Sequence, residues 1–521
     1  MLKSIQKTFG CDIRSLALFR LALAFLVIYD ALDRFPHAEA FYSDQGFFSS
    51  EFSREESPYG FSLNYLSGDP GFQRLLFGCL ATCGILLAIG FQTRLSALAC
   101  WLLLVSIHVR NPFVLIGGDT LIRMMLFWSL FIPLGSYRSV DRWWSQRRLK
   151  SKPGDAGSRE TGYWLCSAGT ACLLLQVCIM YWCAGFSKMT EPWWHGTAME
   201  YVLRLEIYVR PFGEWALTQA WLLKTITYST LAVELLTPFL LLIPFWQTRF
   251  RLAAILVFWG LHIGIELAMD VGNFGLVSMV AWLPFIPAEV WNVIGGKKET
   301  ANLPVARSSR DGFARWIQAG GSAIAWLFLG YILIWNYCGM YVLAGSKWKP
   351  DLPKPFFIPG WSTMVCQNFQ MFGEPPAENP WYVFNGRLKN GSEVDLLSGR
   401  EARDSRPGNI HSPDVTGEWR KIHRFLLRHR GHDRFHQALL EYYTHKWNHN
   451  HPEQDQVIES RLEYYCEDIG PGFVKGDYRR PPDLAHWKSP TPETTSEDEL
   501  IDGIDSFLKG LQQGPLVPFE D

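Results

Sequence analysis

A single lysine at the end of a long apolar run is the residue best placed for chemistry in this sequence. The run extends from Gly162 to Gly185 and is followed by Lys188 and the tryptophan pair Trp193–Trp194. Tryptophans mark the boundary between lipid and water, so the lysine is predicted to lie at such a boundary. Two interpretations stay open: a snorkelling anchor with its ammonium in water, or a desolvated amine that acts as a base.

Further ionisable residues lie in or beside the apolar runs, where a charge is costly and each one is a candidate functional residue. They are Arg20, Asp30, Asp33, Asp119, Arg123, Glu234, His262, Glu266 and Asp270. Asp119 and Arg123 are four residues apart, so they share a helix face and are expected to be able to neutralise each other.

A polar stripe follows one face of a later apolar run. Its residues, His262, Glu266 and Asp270, recur every four positions and therefore share a helix face. The stripe fits two interpretations: structural ion pairing, or the lining of a wet cavity that also holds Glu234 and Lys188.

The elements that must position these residues are apolar runs, which recur before about residue 345 and then stop. Several runs approach the ~20 residues that a helix needs to cross a bilayer. We predict nine spans, at about 15–32, 74–91, 95–109, 118–134, 162–185, 223–245, 250–270, 273–293 and 320–342. The sequence therefore predicts an all-α polytopic membrane domain of about nine transmembrane helices at 1–343.

The polar part of the chain, 344–489, is predicted to be a small α+β extracytoplasmic domain. Asn390-Gly391 is a hairpin turn signal between two alternating stretches. The predicted elements are strands at 381–388, 393–397 and 457–466, and one or two helices within 419–447. The last segment, 490–521, is rich in Pro, Thr, Ser and acidic residues and is predicted to be a flexible tail.

The distribution of lysine and arginine predicts the orientation. The loops at 135–161 and 294–319 are the two densest in basic residues, and nine alternating spans put both on one side. Because cytoplasmic loops carry this excess, the N-terminus is predicted to be cytoplasmic and the C-terminal domain extracytoplasmic. Lys188 then lies outside, and the outer loops 34–73 and 186–222 are expected to roof a cavity between the spans.

Composition excludes some functions. The net charge of -1 leaves no basic footprint for nucleic acid. Eleven cysteines are present, and in the polar half only Cys366 and Cys466 occur, whose pairing the sequence does not decide. Histidines cluster between 423 and 451, some at metal-compatible spacing. Because Arg and Lys are interleaved and no cysteine accompanies them, a solvated helix face is the better interpretation, and no metal is predicted.

Several motifs occur together and in a fixed order. They are F-R-L-A-L-A-F-L-V-I-Y-D at 19–30, R-N-P-F-V-L-I-G-G-D at 110–119, Y-W-C-A-G-F-S-K-M at 181–189, V-E-L-L-T-P at 233–238 and H-I-G-I-E-L-A-M-D-V-G-N-F at 262–274. As a set they resemble the horizontally transferred transmembrane (HTTM) domain family, whose best-known relative is the vitamin K-dependent γ-glutamyl carboxylase. The resemblance covers about residues 12–290.

The resemblance implies roles for named residues. In the carboxylase, a lysine after an A-G motif deprotonates vitamin K hydroquinone, and a histidine on a later span supports the reacting species. By motif, Lys188 and His262 are the corresponding catalytic residues. The residues expected to bind the cofactor are Asn111, Asp119, Arg123, Glu234 and Glu266. The implied cofactor is a vitamin K-type hydroquinone or menaquinol.

The implied protein is an integral protein of a bacterial inner membrane that uses a quinone-type lipid to drive oxidation or carboxylation, as a carboxylase-like lyase or oxidase. Its expected partners are membrane lipid and a peptide or protein substrate on the outer side. Two departures weaken glutamate carboxylation: Asn111 stands where the carboxylase has a second histidine, and the C-terminal part is shorter. The alternative is a non-catalytic membrane protein for lipid binding, secretion support or toxin immunity; a transporter is the weaker third.

Overall fold

The fold is described from a computed structural model of the chain. It describes residues 2–150, 163–295, 312–343, 352–365, 369–397, 399, 401, 426, 433–470 and 478–489. The predicted tail at 490–521 and Cys366 lie outside these residues. The described chain is mostly helical, with a small sheet near its C-terminal end, as the sequence predicts.

Helices account for most of the described residues. They are α1 Leu2–Phe9, α2 Ile13–Arg34, α3 Ala38–Tyr42, α4 Ser50–Glu56, α5 Pro70–Ile89, α6 Thr93–Arg110, α7 Gly117–Ser129, α8 Val140–Lys150, α9 Ala168–Ser187, α10 Glu191–Trp194, α11 Ala198–Arg204, α12 Pro211–Leu217, α13 Ala220–Leu242, α14 Gln247–Ala268, α15 Phe274–Ala281, α16 Ala288–Ile294, α17 Gly312–Leu343, α18 Lys354–Thr363 and α19 Asp433–Asn450. Short 3-10 turns lie between several of them.

Seven helical segments within the described residues are long and apolar enough to cross a membrane. They are Ile13–Tyr42, Pro70–Ile89, Thr93–Arg110, Ala168–Ser187, Ala220–Leu242, Gln247–Ala268 and Ala319–Cys338. The predicted polytopic helical character is confirmed by these segments. Two of the nine predicted spans take another form, and counting the bent pair Phe274–Phe285 and Ala288–Ile294 as one span would give eight candidates.

The two exceptions are α7 and the segment predicted at 273–293. α7 has 13 residues, which at 1.5 Å per residue is about 20 Å and falls short of a ~30 Å hydrocarbon core. The second segment is broken, because Phe274–Phe285 and Ala288–Ile294 meet at 89°. Prolines at 284 and 287 explain the break, since proline lacks the N–H that a continuous helix requires.

Capping residues start two of the long helices side by side. The Asp12 carboxylate accepts a hydrogen bond from Arg14 N (2.8 Å) and begins α2, and Ser167 Oγ accepts from Thr170 N (3.2 Å) and begins α9. The preceding strands, β1 Gly10–Asp12 and β2 Trp164–Cys166, pair antiparallel. The pairing brings the N-terminal ends of α2 and α9 together.

Backbone packing divides the chain into two units. Unit 1 is the described part of Met1–Pro36, Arg74–His108 and Leu115–Pro376. Unit 2 is the described part of His37–Gln73, Val109–Val114 and Ala377–Asp521. Unit 2 therefore includes two segments from within the predicted membrane domain. The predicted domain limits at 343 and 489 adjoin residues outside the described set and stay predictions.

Unit 2 contains an antiparallel sheet. Its strands are β3 Glu378–Leu388, β4 Glu393–Asp395, β5 Val457–Asp468, β6 Tyr478–Arg479 and β7 Ala485–Lys488. The order is β4-β3-β5-β6, and β7 also pairs with β5. The predicted hairpin at Asn390-Gly391 and the predicted strand at 457–466 are confirmed, and Gly391 has the positive φ (+88°) that such a turn requires.

Aromatic side chains join the segments of unit 2. Phe435 of α19 is fully buried, and its ring lies 5.6 Å from that of Phe47 and 4.7 Å from that of Phe113. On the same helix, Tyr443 lies 4.8 Å from Phe384 of β3. The segments 37–73 and 109–114 are thus held to α19, and α19 to the sheet, by edge-to-face ring contacts.

Phe435→Ala is expected to destabilise unit 2 by about 3–5 kcal/mol, because it removes a buried ring and leaves a cavity. Phe61→Ala is the matched control, since Phe61 belongs to the same unit but is 57% exposed. The measurement is urea unfolding of the full chain in detergent, followed by protease sensitivity at sites in 37–73. Equal effects of the two substitutions would refute the packing role of Phe435.

Candidate functional site

Lys188 lies at the C-terminal cap of α9. Its backbone N–H donates to the Gly185 carbonyl at 3.2 Å, which ends the helix at this residue. Its side chain is only 5% exposed, whereas a snorkelling anchor would hold its ammonium in water. The amine is therefore buried, and its partners decide its chemistry.

Glu234 of α13 is the charged partner of Lys188. The ammonium donates to Glu234 Oε1 at 3.1 Å and lies 2.9 Å from Oε2. It also donates to the Ala184 carbonyl at 3.2 Å. The Trp193 ring lies 5.4 Å from Nζ, within the range of a cation–π contact. Two residues that the sequence singled out on separate runs thus form one buried ion pair.

Close packing of α9 on α13 makes this pair possible. A side chain at Gly185 would bring its Cβ within 2.7 Å of Leu235 Cδ2, so glycine permits the approach. The Trp182 indole N–H donates to the Leu235 carbonyl at 3.1 Å and ties the helices together. The Lys188–Glu234 pair therefore lies in a helix interface of unit 1.

His262 of α14 is buried and has different partners. Its Nε2 lies 2.7 Å from the Tyr181 hydroxyl, and the Trp282 indole N–H donates to the same hydroxyl at 3.2 Å. The Phe258 ring stacks on Tyr181 and on Trp282, with 3.9 Å and 4.5 Å between the ring centroids. Among the described residues no hydrogen bond joins His262 to Lys188.

The polar stripe divides between two environments. Glu266 Oε2 and Asp270 Oδ1 lie 3.6 Å and 3.9 Å from the Arg210 guanidinium, which is 39% exposed. His262 faces Tyr181 instead. The described contacts therefore do not join the stripe to Glu234 as the lining of one cavity, because each of its residues finds a nearer partner.

A second group of buried charges lies on α2 and α7. The Arg34 guanidinium contacts both carboxylate oxygens of Asp30, at 2.9–3.0 Å, and donates to Asp119 Oδ1 at 2.8 Å. Asp119 Oδ2 accepts from the Ile116 N–H at 2.7 Å. The predicted neutralisation of Asp119 by the residue four positions later is wrong, because Arg34 from another helix takes the carboxylate.

Arg123 turns to other acceptors. Its Nη1 lies 2.6 Å from His108 Nδ1, and its Nε donates to the Met364 carbonyl at 2.7 Å. Both acceptors lie outside α7, so the spacing of residues along that helix does not predict these contacts. Asp119 and Arg123 thus lie on one helix but serve different neighbours.

Three of these residues have the chemistry of metal ligands. Within the described residues, Asp30, His108 and Asp119 offer ligand atoms that lie within 4.8 Å of one another. However, Arg34 holds both carboxylates and Arg123 holds the imidazole. A cation here would face two guanidinium groups, so the contacts suit a buried ion-pair network better than a metal site.

Asn111 belongs to unit 2, not to the unit that holds Lys188. Its side-chain amide donates to the Phe41 carbonyl at 2.9 Å, and its Oδ1 accepts from Phe113 N at 3.2 Å. These bonds satisfy backbone groups of a tight turn. One amide N–H and one lone pair of the side chain are thus committed to the turn.

Four partner residues were not among the sequence candidates: Tyr181, Trp282, Arg34 and His108. The pairing of Arg34 with Asp30 could have been predicted from the sequence, since Arg34 follows Asp30 by four positions on one helix. Tyr181 precedes Lys188 by seven positions and so lies on the same face of α9. Trp282 has no such signal, because its partner comes from another helix.

Removing one partner of the Lys188–Glu234 pair is expected to destabilise the protein more than removing both. Glu234→Leu leaves a buried ammonium unpaired, at a cost of about 3–5 kcal/mol. The double variant Lys188→Met/Glu234→Leu replaces both charges with apolar groups and is expected to recover most of that loss. Thermal unfolding in detergent is the measurement, and additive losses in the double variant would contradict a direct pair.

Comparison with known proteins gives one match. Residues 10–291, more than half of the 521-residue chain, match the model of the HTTM domain. The match includes Lys188, Glu234 and His262, and it confirms the resemblance drawn from the motifs. No curated protein matches the chain, and no solved structure does.

Proposed function

Since the chain belongs to the HTTM family, which is associated with vitamin K-dependent carboxylase-like membrane proteins, we propose that it is a membrane enzyme that oxidises a reduced quinone-type lipid. Lys188 is the base of this reaction, and Glu234 is its proton partner. Several apolar helices support the membrane location. A vitamin K-type hydroquinone or menaquinol is the proposed cofactor.

The observation that carries the proposal is the burial of the Lys188 ammonium against Glu234. One proton moved across the 2.9–3.1 Å contact leaves both groups uncharged. In apolar surroundings, where an ion pair is costly to hold, this transfer provides a neutral amine without separating charge. A neutral amine is what a lysine base requires.

The residues of this chain fit a phenolic ligand in two respects. Such a ligand supplies an acidic hydroxyl and, once deprotonated, two electrons for dioxygen. Lys188 Nζ accepts the hydroxyl proton, and Glu234 holds the proton that Nζ released. His262 Nδ1 is buried and lacks a hydrogen-bond partner among the described residues, which leaves it available to a ligand oxygen.

The other proposed cofactor residues support this chemistry less directly. Asp119, Arg123 and Glu266 each contact a partner within unit 1, so a ligand would share these side chains with that partner or replace it. Carboxylation of a peptide glutamate on the outer side is the downstream reaction of the same proposal. Its substrate is a peptide or protein that meets the membrane surface.

We also propose the orientation drawn from the basic loops, with a cytoplasmic N-terminus in a bacterial inner membrane and nine crossings. Contacts between helix ends support it. β1 pairs with β2, Asp141 accepts from Gln92 N at 2.8 Å, and Arg14 donates to Asn292 at 3.2 Å. Nine alternating crossings put each of these pairs on one side, which makes α7 and the broken segment short crossings.

Reporter fusions test this orientation. Green fluorescent protein fused after Arg147 is expected to fluoresce in a bacterial host, because that position is proposed to be cytoplasmic. Alkaline phosphatase fused after Gln219 is expected to be active, since it folds outside the cytoplasm. Activity of the phosphatase at Arg147 with none at Gln219 would reverse the proposed orientation.

Lys188→Ala is expected to lower the rate of quinol oxidation at least 100-fold, since a positioned general base accelerates a reaction by about 10²–10⁴-fold. The probe is menadiol with purified protein, and the measurement is oxygen uptake corrected for spontaneous oxidation. Lys224→Ala is the matched control, because Lys224 is an exposed lysine near the start of α13. Equal rates for the Lys188→Ala and unsubstituted proteins would remove Lys188 from the chemistry.

A second candidate function is non-catalytic, in lipid binding, secretion support or toxin immunity. It is favoured by one observation: the hydrogen bonds that the ammonium donates, to Glu234 and to the Ala184 carbonyl, lie within the packed pair α9 and α13. The Lys188–Glu234 pair would then be a structural clamp, which holds α9 against α13 and takes no part in chemistry. This alternative predicts that Lys188→Arg, which keeps the charge but cannot act as a neutral amine, preserves the phenotype, whereas the base role predicts its loss.

A further inference from the structure

The Tyr181 hydroxyl lies at the centre of a buried hydrogen-bond chain in unit 1. It is 3.2 Å from Trp282 Nε1 and 2.7 Å from His262 Nε2. All three side chains are nearly or fully buried. Rotation of the Tyr181 and Trp282 rings is restricted, since Phe258 stacks on both.

The chemistry of the three groups orders the hydrogen atoms. The indole N–H is a donor only, so the Tyr181 oxygen accepts from Trp282. Two acceptors lie near the Tyr181 hydroxyl: His262 Nε2, at 2.7 Å, and the buried Ser278 hydroxyl. The short contact to Nε2 favours His262 as the group that receives the Tyr181 hydrogen. A neutral imidazole that accepts at Nε2 carries its proton on Nδ1.

Nδ1 is therefore a hydrogen-bond donor, and it takes no part in the Trp282–Tyr181–His262 hydrogen bonds that hold the ring. It is buried and has no hydrogen-bond partner among the described residues, while the His262 side chain as a whole is 1% exposed. Buried donors in folded proteins are nearly always satisfied, so an unpartnered one indicates a missing acceptor. The Phe274 ring meets the imidazole edge-on, with 5.6 Å between the ring centroids, which gives the imidazole an aromatic neighbour.

We propose that Trp282 and Tyr181 hold His262 in the tautomer protonated on Nδ1, and that this N–H binds an oxygen of a lipid-soluble aromatic ligand. The oxygen is a quinone carbonyl or a phenol oxygen, both of which accept a hydrogen bond. Tyr181 and Trp282 are positioning residues, because they act through His262. The ligand's identity rests on the proposed function, but the tautomer does not.

The opposite tautomer has different consequences. If His262 donated from Nε2, the Tyr181 oxygen would accept two hydrogen bonds and its own hydrogen would turn to the Ser278 hydroxyl. Nδ1 would then be an acceptor and would select a ligand with a donor. The two arrangements therefore differ in a measurable property of one imidazole ring.

Nitrogen-15 NMR of histidine-labelled full-length protein in detergent tests the tautomer. The signals of His262 are identified as those lost in His262→Phe. Nδ1 is expected to show the shift of a protonated nitrogen and Nε2 that of an acceptor, and Tyr181→Phe is expected to exchange this preference, since the hydroxyl donor is gone. An Nε2-protonated ring in the unsubstituted protein, or a ring unchanged by Tyr181→Phe, would overturn the proposal.

Two matched variants separate this effect from general disturbance. Tyr331→Phe removes a hydroxyl that bonds to Phe356 O at 2.9 Å elsewhere in unit 1, and Trp259→Phe removes an indole that bonds to Met279 O at 3.1 Å. Both are expected to leave the His262 signals in place, whereas Trp282→Phe is expected to shift them. Equal shifts of the His262 signals in Trp259→Phe and Trp282→Phe would contradict the proposed hydrogen-bond chain from Trp282 through Tyr181 to His262.

Ligand binding is tested with menadione and, as control, 2-methylnaphthalene, which lacks the oxygens. Menadione is expected to shift the Nδ1 signal in a saturable manner, and the hydrocarbon is not. Equal shifts from both, or none from menadione, would refute an oxygen contact at Nδ1. Because these readouts do not depend on turnover, they separate failure of this inference from loss of a catalytic role for Lys188.

Discussion

The cost of placing charge in apolar surroundings is the constraint on which this structure depends. A lone ion in such a medium is expensive, and a charged side chain is retained only with a partner or with carbonyl groups to receive its hydrogen bonds. Unit 1 uses both solutions. Lys188 pairs with Glu234, while Arg20 donates to the carbonyls of Leu134, Tyr137 and Arg138 at 2.7–3.3 Å.

The same constraint links stability to chemistry. An ion pair in a helix interface joins α9 to α13, and its energy depends on both partners being present. The proton that makes it an ion pair is also the proton that a base would exchange. A membrane protein can therefore hold a reactive amine at a structural position, which explains why a clamp and a base predict the same contacts and differ only in the response to Lys188→Arg.

Aromatic side chains serve two functions in this molecule. In unit 2 they are packing elements that join segments far apart in the sequence. Around His262 they are also polar devices, because Tyr181 and Trp282 each combine a large apolar ring with one hydrogen-bonding group. Such residues are suited to apolar interiors, where they can direct a proton without adding a charge.

The sequence alone determined the features that depend on local composition and spacing. Apolar runs of sufficient length indicated the helices, an Asn-Gly turn between alternating stretches indicated the hairpin of β3 and β4, and a motif set indicated the family. These signals are local, since a membrane helix or a two-residue turn is specified by the residues within it. Lys188, Glu234 and His262 were found because a charge in an apolar run is conspicuous wherever it folds.

Only the tertiary structure decided which charges meet. Spacing along one helix predicted that Asp119 can pair with Arg123 and that His262 shares a face with Glu266. In the structure, Asp119 pairs with Arg34, Arg123 contacts His108, and His262 contacts Tyr181, each from another helix. Helix length was likewise decided by context, as α7 ended after 13 residues and two prolines broke the segment after His262. The physical reason is that an ion pair or hydrogen bond depends on distance in space, and periodicity reports only the neighbours that a residue has within its own helix.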